Sequence, residues 1–542
     1  YEKIKVPPPA FCPDCRVQRL LAHRNERRLY RRECDLCKKA VISMYPEKVK
    51  FPVYCRECWW SDKWNSSSFA QDYNPSRSFF EQFKELSDKV PHLSIPNTAD
   101  NVDCDYVSWV DQSRNCYLMF GSTKCENVLY SELLYNCKNS MDSTNCNELE
   151  LSYQCINSKK CYKTVWGINC VACADCAFCF DCRNSNNCFL STNLRTKNYY
   201  FLNKQYAKKE WKERVDEVMG SFEKMEKALT QFKEIIKKEA LHRYANLVQC
   251  TNVSGNDLFE SKNAFNCFDS GKIEDCKYIS YGDGIKDCYD CYAIVEKSEL
   301  CYECTSSTGN SKIVNVLAGW GNNYNIHSSQ YMINSHDCMG CYGLHNKEYC
   351  ILNKQYKREQ YEKLSQKIIE KMKKDGEDGE FLPIAFSPFG YNESLAFDYF
   401  PMTKEGALKK NYPWQEKGSG IFGKETIKKE EIPDNISEVE NTIIEKVLAC
   451  EDCKKNYRIT QKELSFYRQV RLPIPRKCTD CRYYLRLLFR NPRKLWSRKC
   501  MCKNKNHANH LDIRCPSEFE TSYAPDRREM VYCEKCYQQE VY

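Results

Sequence analysis

Cysteine spacing constrains this chain more than any other feature. The stretch "CPDCRVQRLLAHRNERRLYRREC" at 12–34 returns near the far end as "CTDCRYYLRLLFRNPRKLWSRKC" at 478–500. Both open C-x2-C-R, and both carry another cysteine 22 residues after the first (34 − 12 and 500 − 478). Of 542 residues, 38 are cysteine. Many fall in C-x2-C pairs, the spacing of metal knuckles in a reducing compartment rather than of a secreted disulfide framework.

Four thiolates from two such knuckles suit tetrahedral zinc. Cys34/Cys37 with Cys55/Cys58 form one zinc-ribbon set, and Cys450/Cys453 with Cys478/Cys481 form a second. A third set holds Cys515, Cys533 and Cys536, because Cys515 precedes Cys533 by the same 18 residues that separate Cys37 from Cys55. Its fourth member is Cys500 by register, or Cys502 across the insertion "MCKNKNHANHLDIR". In that insertion His507 and His510 read either as a further site with the spare cysteine or as a solvated polar loop. Cys12 and Cys15 match Cys478 and Cys481, but register puts their partners before residue 1. A truncated first site is therefore expected. Zinc, at least three ions, is the expected cofactor.

Formal charge is +9, and it belongs to the ends. Residues 1–60 hold 14 Lys/Arg against 7 Asp/Glu, and residues 450–542 hold 21 against 11, leaving 9 − 7 − 10 = −8 for the rest. Between the knuckles Arg482, Arg486, Arg490 and Lys494 recur at helical spacing, with Leu485, Leu488 and Phe489 for the opposite face. Read functionally, Arg16, Arg24, Arg27, Arg28 and Arg31, with Arg482, Arg486, Arg490, Arg493 and Lys494, face phosphates, while Trp496 stacks on a base. The other reading is local neutralisation. Each four-thiolate zinc site carries −2, so three sites take 6 from the formal count and leave about +3.

From Asn101 the texture changes to short cysteine- and asparagine-rich phrases. Cysteines at 137, 155 and 173 are 18 apart, as are 161 and 179, and 170 and 188. Such a fixed step with polar turns predicts a β-solenoid with rungs of about 18–21 residues. Asn before Cys at 115, 136, 145, 169 and 187 suggests amide ladders. A larger duplication overlies this: Cys116, Cys125 and Cys137 recur at Cys267, Cys276 and Cys288, and "FLNKQY" at 201 recurs as "ILNKQY" at 351. In the run "CVACADCAFCFDC" (170–182), buried cysteines acting as small rung fillers are expected rather than an iron–sulfur cluster.

The predicted fold is mostly β: a duplicated cysteine-rich β-solenoid with capping helices, flanked by zinc-ribbon modules at both ends. It divides into an N-terminal zinc-ribbon module (1–64), a connector (65–100), a first solenoid half (101–205), capping helices (206–244), a second half (245–354), a capping helix (355–374), an extended tether (375–448) and a C-terminal double zinc-ribbon module (449–542).

The phrases "VPPPAFCPDCR", "RNERRLYRRECDLC", "FPVYCRECWWSDKW" and "YAPDRREMVYCEKCYQQEVY" resemble a family of uncharacterised cysteine-rich zinc-ribbon proteins of candidate-phyla-radiation bacteria. The resemblance covers nearly the whole chain. It implies zinc ribbons flanking a cysteine-rich repeat and brings no activity with it. "CKKAVISMYPEK" departs from the pattern in lacking a Gly after the first knuckle.

No H-E-x-x-H, P-loop or strand-borne G-x-G-x-x-G is present, and four-thiolate sites leave no open coordination position, so catalysis is not expected. No apolar run approaches the ~18 residues of a membrane span, no signal peptide or small-molecule substrate is evident, and a cytoplasmic location is expected. The leading expectation is a zinc-dependent RNA-binding protein, with the ribosome as a candidate host. The alternative is a structural or protein-interaction scaffold in which zinc only stabilises the fold. Oligomeric state is left open.

Overall fold

In the cysteine-rich middle of the chain the backbone turns left-handed at almost every third residue. Asn115, Leu118, Gly121, Lys124, Asn127, Tyr130, Leu133 and Asn136 have φ between 48° and 56°. The residue before each one pairs in parallel with the residue twelve positions on: Arg114 with Glu126, Tyr117 with Leu129, Phe120 with Glu132, Thr123 with Tyr135. The residue after each one is buried, as at Cys116, Met119, Ser122, Cys125, Val128, Ser131, Leu134 and Cys137. Each triplet thus supplies one paired, one turning and one interior residue. Four triplets return the chain to its own neighbour.

This computed structural model describes all residues except 157–161, 169–171, 417–419, 505, 508–509 and 512–513. Strand accounts for 29% of the chain and helix for 25%, so the mostly-β expectation holds. The expected step does not: pairing recurs every twelve residues, not every 18 to 21. Cysteine spacings of 9 and 18 are multiples of the triplet but not of the return, so cysteines 18 apart are not stacked on one another.

The triplet explains the composition. Asn and Asp tolerate the left-handed conformation better than other non-glycine residues, which is why Asn precedes an interior Cys at 115, 136, 145 and 187. Between returns the amides bond as expected, Asn127 Nδ2 donating to Asn139 Oδ1 at 2.9 Å. Inside, serine and cysteine serve the backbone groups that the ladder leaves over. Ser113, Ser122 and Ser131 accept from the N–H groups of Cys125, Leu134 and Ser143 at 3.0–3.1 Å. Cysteine thiols donate to carbonyls nine residues on, Cys146 to Cys155 O at 3.3 Å. Burial pushes the Cys116 thiol up to about 12, keeping it neutral. Cys173, Cys176, Cys179 and Cys182 are buried and bond in the same way. Cys161 and Cys170 lie outside the described residues.

The fold divides into two units that do not follow the linear order of the sequence. One contains residues 96–244, 419–492 and 496–542; the other contains 1–95, 245–418 and 493–495. In the first, parallel strands Val165–Ile168, Ala177–Phe180, Asn186–Thr192 and Asn198–Phe201 continue the ladder, and Lys204–Gln205 folds back antiparallel. The helix Phe222–Lys238 packs across Ala177–Phe180 and Asn186–Thr192, burying Leu229 and Phe232, so it covers strand faces as well as following the last strand. In the second unit ten parallel strands run from Leu247–Val248 to Glu348–Ile351, with Thr305–Thr308 branching from Tyr289–Val295. Lys354–Gln355 again folds back antiparallel, and the helix Arg358–Asp375 follows, its Tyr361 ring 5.8 Å from that of Tyr349.

Segment 375–448 is not an extended tether. Phe381, Leu382, Ile384, Tyr391 and Leu395 are buried in one unit, and Ile432, Ile436, Val439 and Ile443 in the other. Alternating apolar residues in this stretch fill cores that only the fold reveals.

Cys155 is fully buried in a position type that serine occupies elsewhere in the ladder. Cys155→Glu is expected to destabilise the protein by about 3 kcal/mol or more through burial of a carboxylate. Cys155→Ser should be far milder. Thermal melts followed by circular dichroism test this, and equal midpoints for the two variants would refute the interior placement.

Candidate metal centres

Three groups of four thiols come together with every sulfur within 4.8 Å of the others: Cys34/Cys37/Cys55/Cys58, Cys450/Cys453/Cys478/Cys481 and Cys500/Cys515/Cys533/Cys536. Metal–sulfur bonds of about 2.3 Å in a tetrahedron give sulfur–sulfur edges of about 3.8 Å. Cys37–Cys55, Cys453–Cys478 and Cys515–Cys533 lie 3.8, 3.6 and 3.9 Å apart. The donor sets fit a tetrahedral ion.

Local sequence builds each group twice over. At the first knuckle the chain reverses tightly: the Lys38 N–H donates to Cys34 O and the Lys454 N–H to Cys450 O, at 2.9 and 3.0 Å. Lys38 and Lys454 have φ of 61° and 62°, so lysine adopts the left-handed turn for which glycine would be the usual residue. At the second knuckle Cys55, Cys478 and Cys533 each precede the first turn of a helix, with φ from −64° to −62° and ψ from 161° to 165°. A helix start favours a thiolate, but burial outweighs it at Cys478 and pushes that thiol up to about 12. Burial opposes ionisation of Cys34, but the N–H groups of Cys37, Cys55 and Leu36 outweigh it and bring the thiol down to about 7. For Cys515 the same opposition is overcome chiefly by Ser517, again to about 7.

Cys500, not Cys502, completes the third group. The Cys533 N–H donates to Cys500 Sγ at 3.3 Å just as the Cys55 N–H donates to Cys34 Sγ at 3.2 Å. Cys502 joins a fourth group with His507, His510 and Cys536. Cys12 has the second-knuckle geometry, φ −64° and ψ 159°, and both it and Cys15 are exposed. Neither belongs to any of these groups among the described residues.

The arginines expected to face phosphates are placed differently. Arg482 and Arg486 converge on one carboxylate: Arg482 Nε donates to Asp142 Oδ2 and Arg486 Nη1 to Asp142 Oδ1, both at 2.9 Å. Glu463 lies 3.7 Å from Arg482, and burial pushes its carboxyl above the ordinary range. Burial opposes the charge on Arg482, yet Asp142 and its neighbours hold its pKa well above the ordinary guanidinium value. In the other unit Arg16 occupies the equivalent place after its knuckle. Its Nε donates to Asp290 at 2.9 Å and its Nη1 to Phe11 O, as Arg482 Nη1 donates to Lys477 O.

Arg19, which the spacing argument passed over, pairs with Glu303 and Glu380 at 2.8 and 2.7 Å. Burial pushes Glu303 up to about 8 against the pull of Arg19. Arg24 is buried against Glu26, and Arg493 bonds Asp269 at 3.1 Å between the Tyr281 and Tyr399 rings. Arg27, Arg28, Arg490 and Trp496 are half-buried; Arg31 and Lys494 are exposed, Lys494 lying 3.4 Å from Asp14. Sequence reasoning found these arginines but not Asp142, Asp290, Glu303 or Asp269. All four occupy left-handed triplet positions, with φ from 47° to 55°. That register was the available signal.

No family model matches the chain, and no curated protein matches it. Among solved structures it has some likeness to a protein described as a "putative acetyltransferase" from Desulfovibrio desulfuricans G20. Identity is 11%, the match covers 42% of this chain and 62% of that one, and the TM-score is 0.12. The chain thus spans less than two thirds of that protein's length, and a score so low carries no argument about fold or activity. No helix among the described residues is long and apolar enough to cross a membrane.

Metal binding to small thiolate sites supplies their folding energy. Elemental analysis is expected to find at least three divalent ions per chain. Stripping them with a strong chelator should unfold the ribbons, seen as rapid proteolysis within 30–58 and 448–542 while the ladders stay protected. Unchanged digestion after complete metal removal would show that the cysteine groups are not structural metal sites.

Proposed function

We propose that the protein is a non-catalytic, zinc-stabilised scaffold built on two β-solenoids, each braced by an arginine helix that begins at a cysteine knuckle. Four thiols at tetrahedral spacing match zinc best among common ions, and thiol-rich sites of this kind belong in a reducing compartment such as the cytoplasm. The observation that carries the reading is the pairing of Arg482 and Arg486 with Asp142, all at most 3% exposed in their side chains. Guanidiniums committed to ladder carboxylates act as internal fasteners, and zinc fixes the helix that presents them.

An RNA clamp, the leading expectation from sequence, draws little support from these residues. Arg16, Arg24, Arg482 and Arg486 are at most 4% exposed, and a phosphate cannot reach a guanidinium so enclosed. The basic surplus at the chain ends is offset by thiolate sites and by the acidic middle.

Removing one partner from a buried ion pair costs about 3–5 kcal/mol, because the other charge is stranded. Asp142→Asn and Arg482→Met are each expected to destabilise by about that amount, and the double variant by clearly less than their sum. Denaturant unfolding of the four proteins gives the coupling. Purified protein should carry no nucleic acid by its absorbance ratio. An Arg482→Met variant that unfolds like the parent yet loses bound RNA would favour the clamp instead.

A further inference from the structure

Cys536 belongs to two donor groups at once. Its sulfur lies within 4.8 Å of Cys500, Cys515 and Cys533, and within 4.8 Å of Cys502, His507 and His510. We infer that the C-terminal ribbon holds a two-metal centre in which the Cys536 thiolate bridges a four-sulfur site and a second site completed by Cys502, His507 and His510.

Geometry of the second site carries the inference. A metal with a sulfur ligand at about 2.3 Å and a nitrogen ligand at about 2.0–2.1 Å spaces them about 3.6 Å apart in a tetrahedron. Cys502 Sγ lies 3.6 Å from His507 Nδ1, and Cys536 Sγ lies 3.5 Å from His510 Nε2. The antiparallel strands Asn506–His507 and His510–Leu511 set the two histidines opposite each other, with ring centroids 5.1 Å apart. Both imidazoles are buried, at 3% and 8% exposure, which is unusual for polar rings in a segment this rich in Lys and Asn.

Glu540 stands behind the His507 ring. Its Oε1 lies 2.6 Å from His507 Nε2, while Cys502 Sγ lies 3.6 Å from Nδ1 and 4.0 Å from Nε2. Asn504 Nδ2 donates to the same carboxylate oxygen at 2.8 Å, fixing it. A carboxylate behind a metal-bound imidazole is the usual arrangement for setting tautomer and ring angle. Sharing one sulfur also lowers the local charge. Five thiolates against two divalent ions leave −1, where a lone four-thiolate site leaves −2.

Cadmium binding to the full chain tests this, in a Cys12→Ser/Cys15→Ser background so that the exposed pair contributes nothing. Four equivalents of cadmium per chain are expected. With a spin-active cadmium isotope, two of the four resonances should split each other through the shared sulfur. His507→Ala/His510→Ala should bind three equivalents and lose the splitting, while its remaining resonances and its circular dichroism stay as in the parent. Three equivalents or fewer in the parent would overturn the inference, leaving the histidines a hydrogen-bonded polar group. Four equivalents without mutual splitting, or a histidine variant that still binds four, would overturn it equally. The three four-thiolate sites survive any of these outcomes except a count below three.

Discussion

A left-handed backbone at every third residue costs most side chains about 1–2 kcal/mol each, and the ladders repeat it dozens of times. They can do so because most turning residues are followed by a buried one and preceded by a paired one, so most triplets gain an interior contact and parallel hydrogen bonds together. The same constraint decides which residues go where. Interior positions must be small enough for neighbouring returns to close on them, hence Cys, Ser, Val and Leu. Turning positions favour Asn and Asp, and several of the aspartates among them receive arginines.

That second consequence ties the metal modules to the ladders within each unit. Asp142, Asp181, Asp269 and Asp290 are all turning residues, and each receives at least one arginine. Two of these arginines directly follow a knuckle cysteine, Arg16 after Cys15 and Arg482 after Cys481, while Arg195 is itself a ladder residue and Arg493 follows Pro492. Metal, helix start and ion pair form a single chain of constraints. At the Cys450/Cys453/Cys478/Cys481 group, loss of an ion held there would release the helix Thr479–Leu487 and strand the buried Asp142 carboxylate, a larger penalty than the loss of the ribbon alone.

Much of this was legible in the sequence. Cysteine spacing fixes the membership of two four-thiolate groups and most of the third, since knuckle geometry is local. The duplication and the mostly-β character follow from repeated phrases. The twelve-residue return was hidden because cysteines occupy only some interior positions, so their intervals report multiples of three and suggest 18. The choice between Cys500 and Cys502 depended on which sulfur accepts the Cys533 N–H, a contact between residues 33 apart. An arginine face has the same spacing whether it meets a phosphate or a buried carboxylate. The partners here lie hundreds of residues away, so no local pattern separates the two cases.

The exchanged order of the units bears on how the chain is made. The N-terminal ribbon shares a unit with a ladder that begins at residue 245, 150 residues after the ribbon's own segment ends at 95. At synthesis rates of about 5–20 residues per second, roughly 8–30 s separate the two. During that interval its knuckles can take up metal, but Arg16 and Arg19 have no carboxylates to meet. The first ladder waits in turn for the arginine helix Thr479–Leu487. Each half of the molecule is therefore translated as two complementary, oppositely charged parts made far apart: in one the basic helix Pro13–Ala22 emerges before its acidic partners, and in the other the acidic ladder emerges before its basic helix.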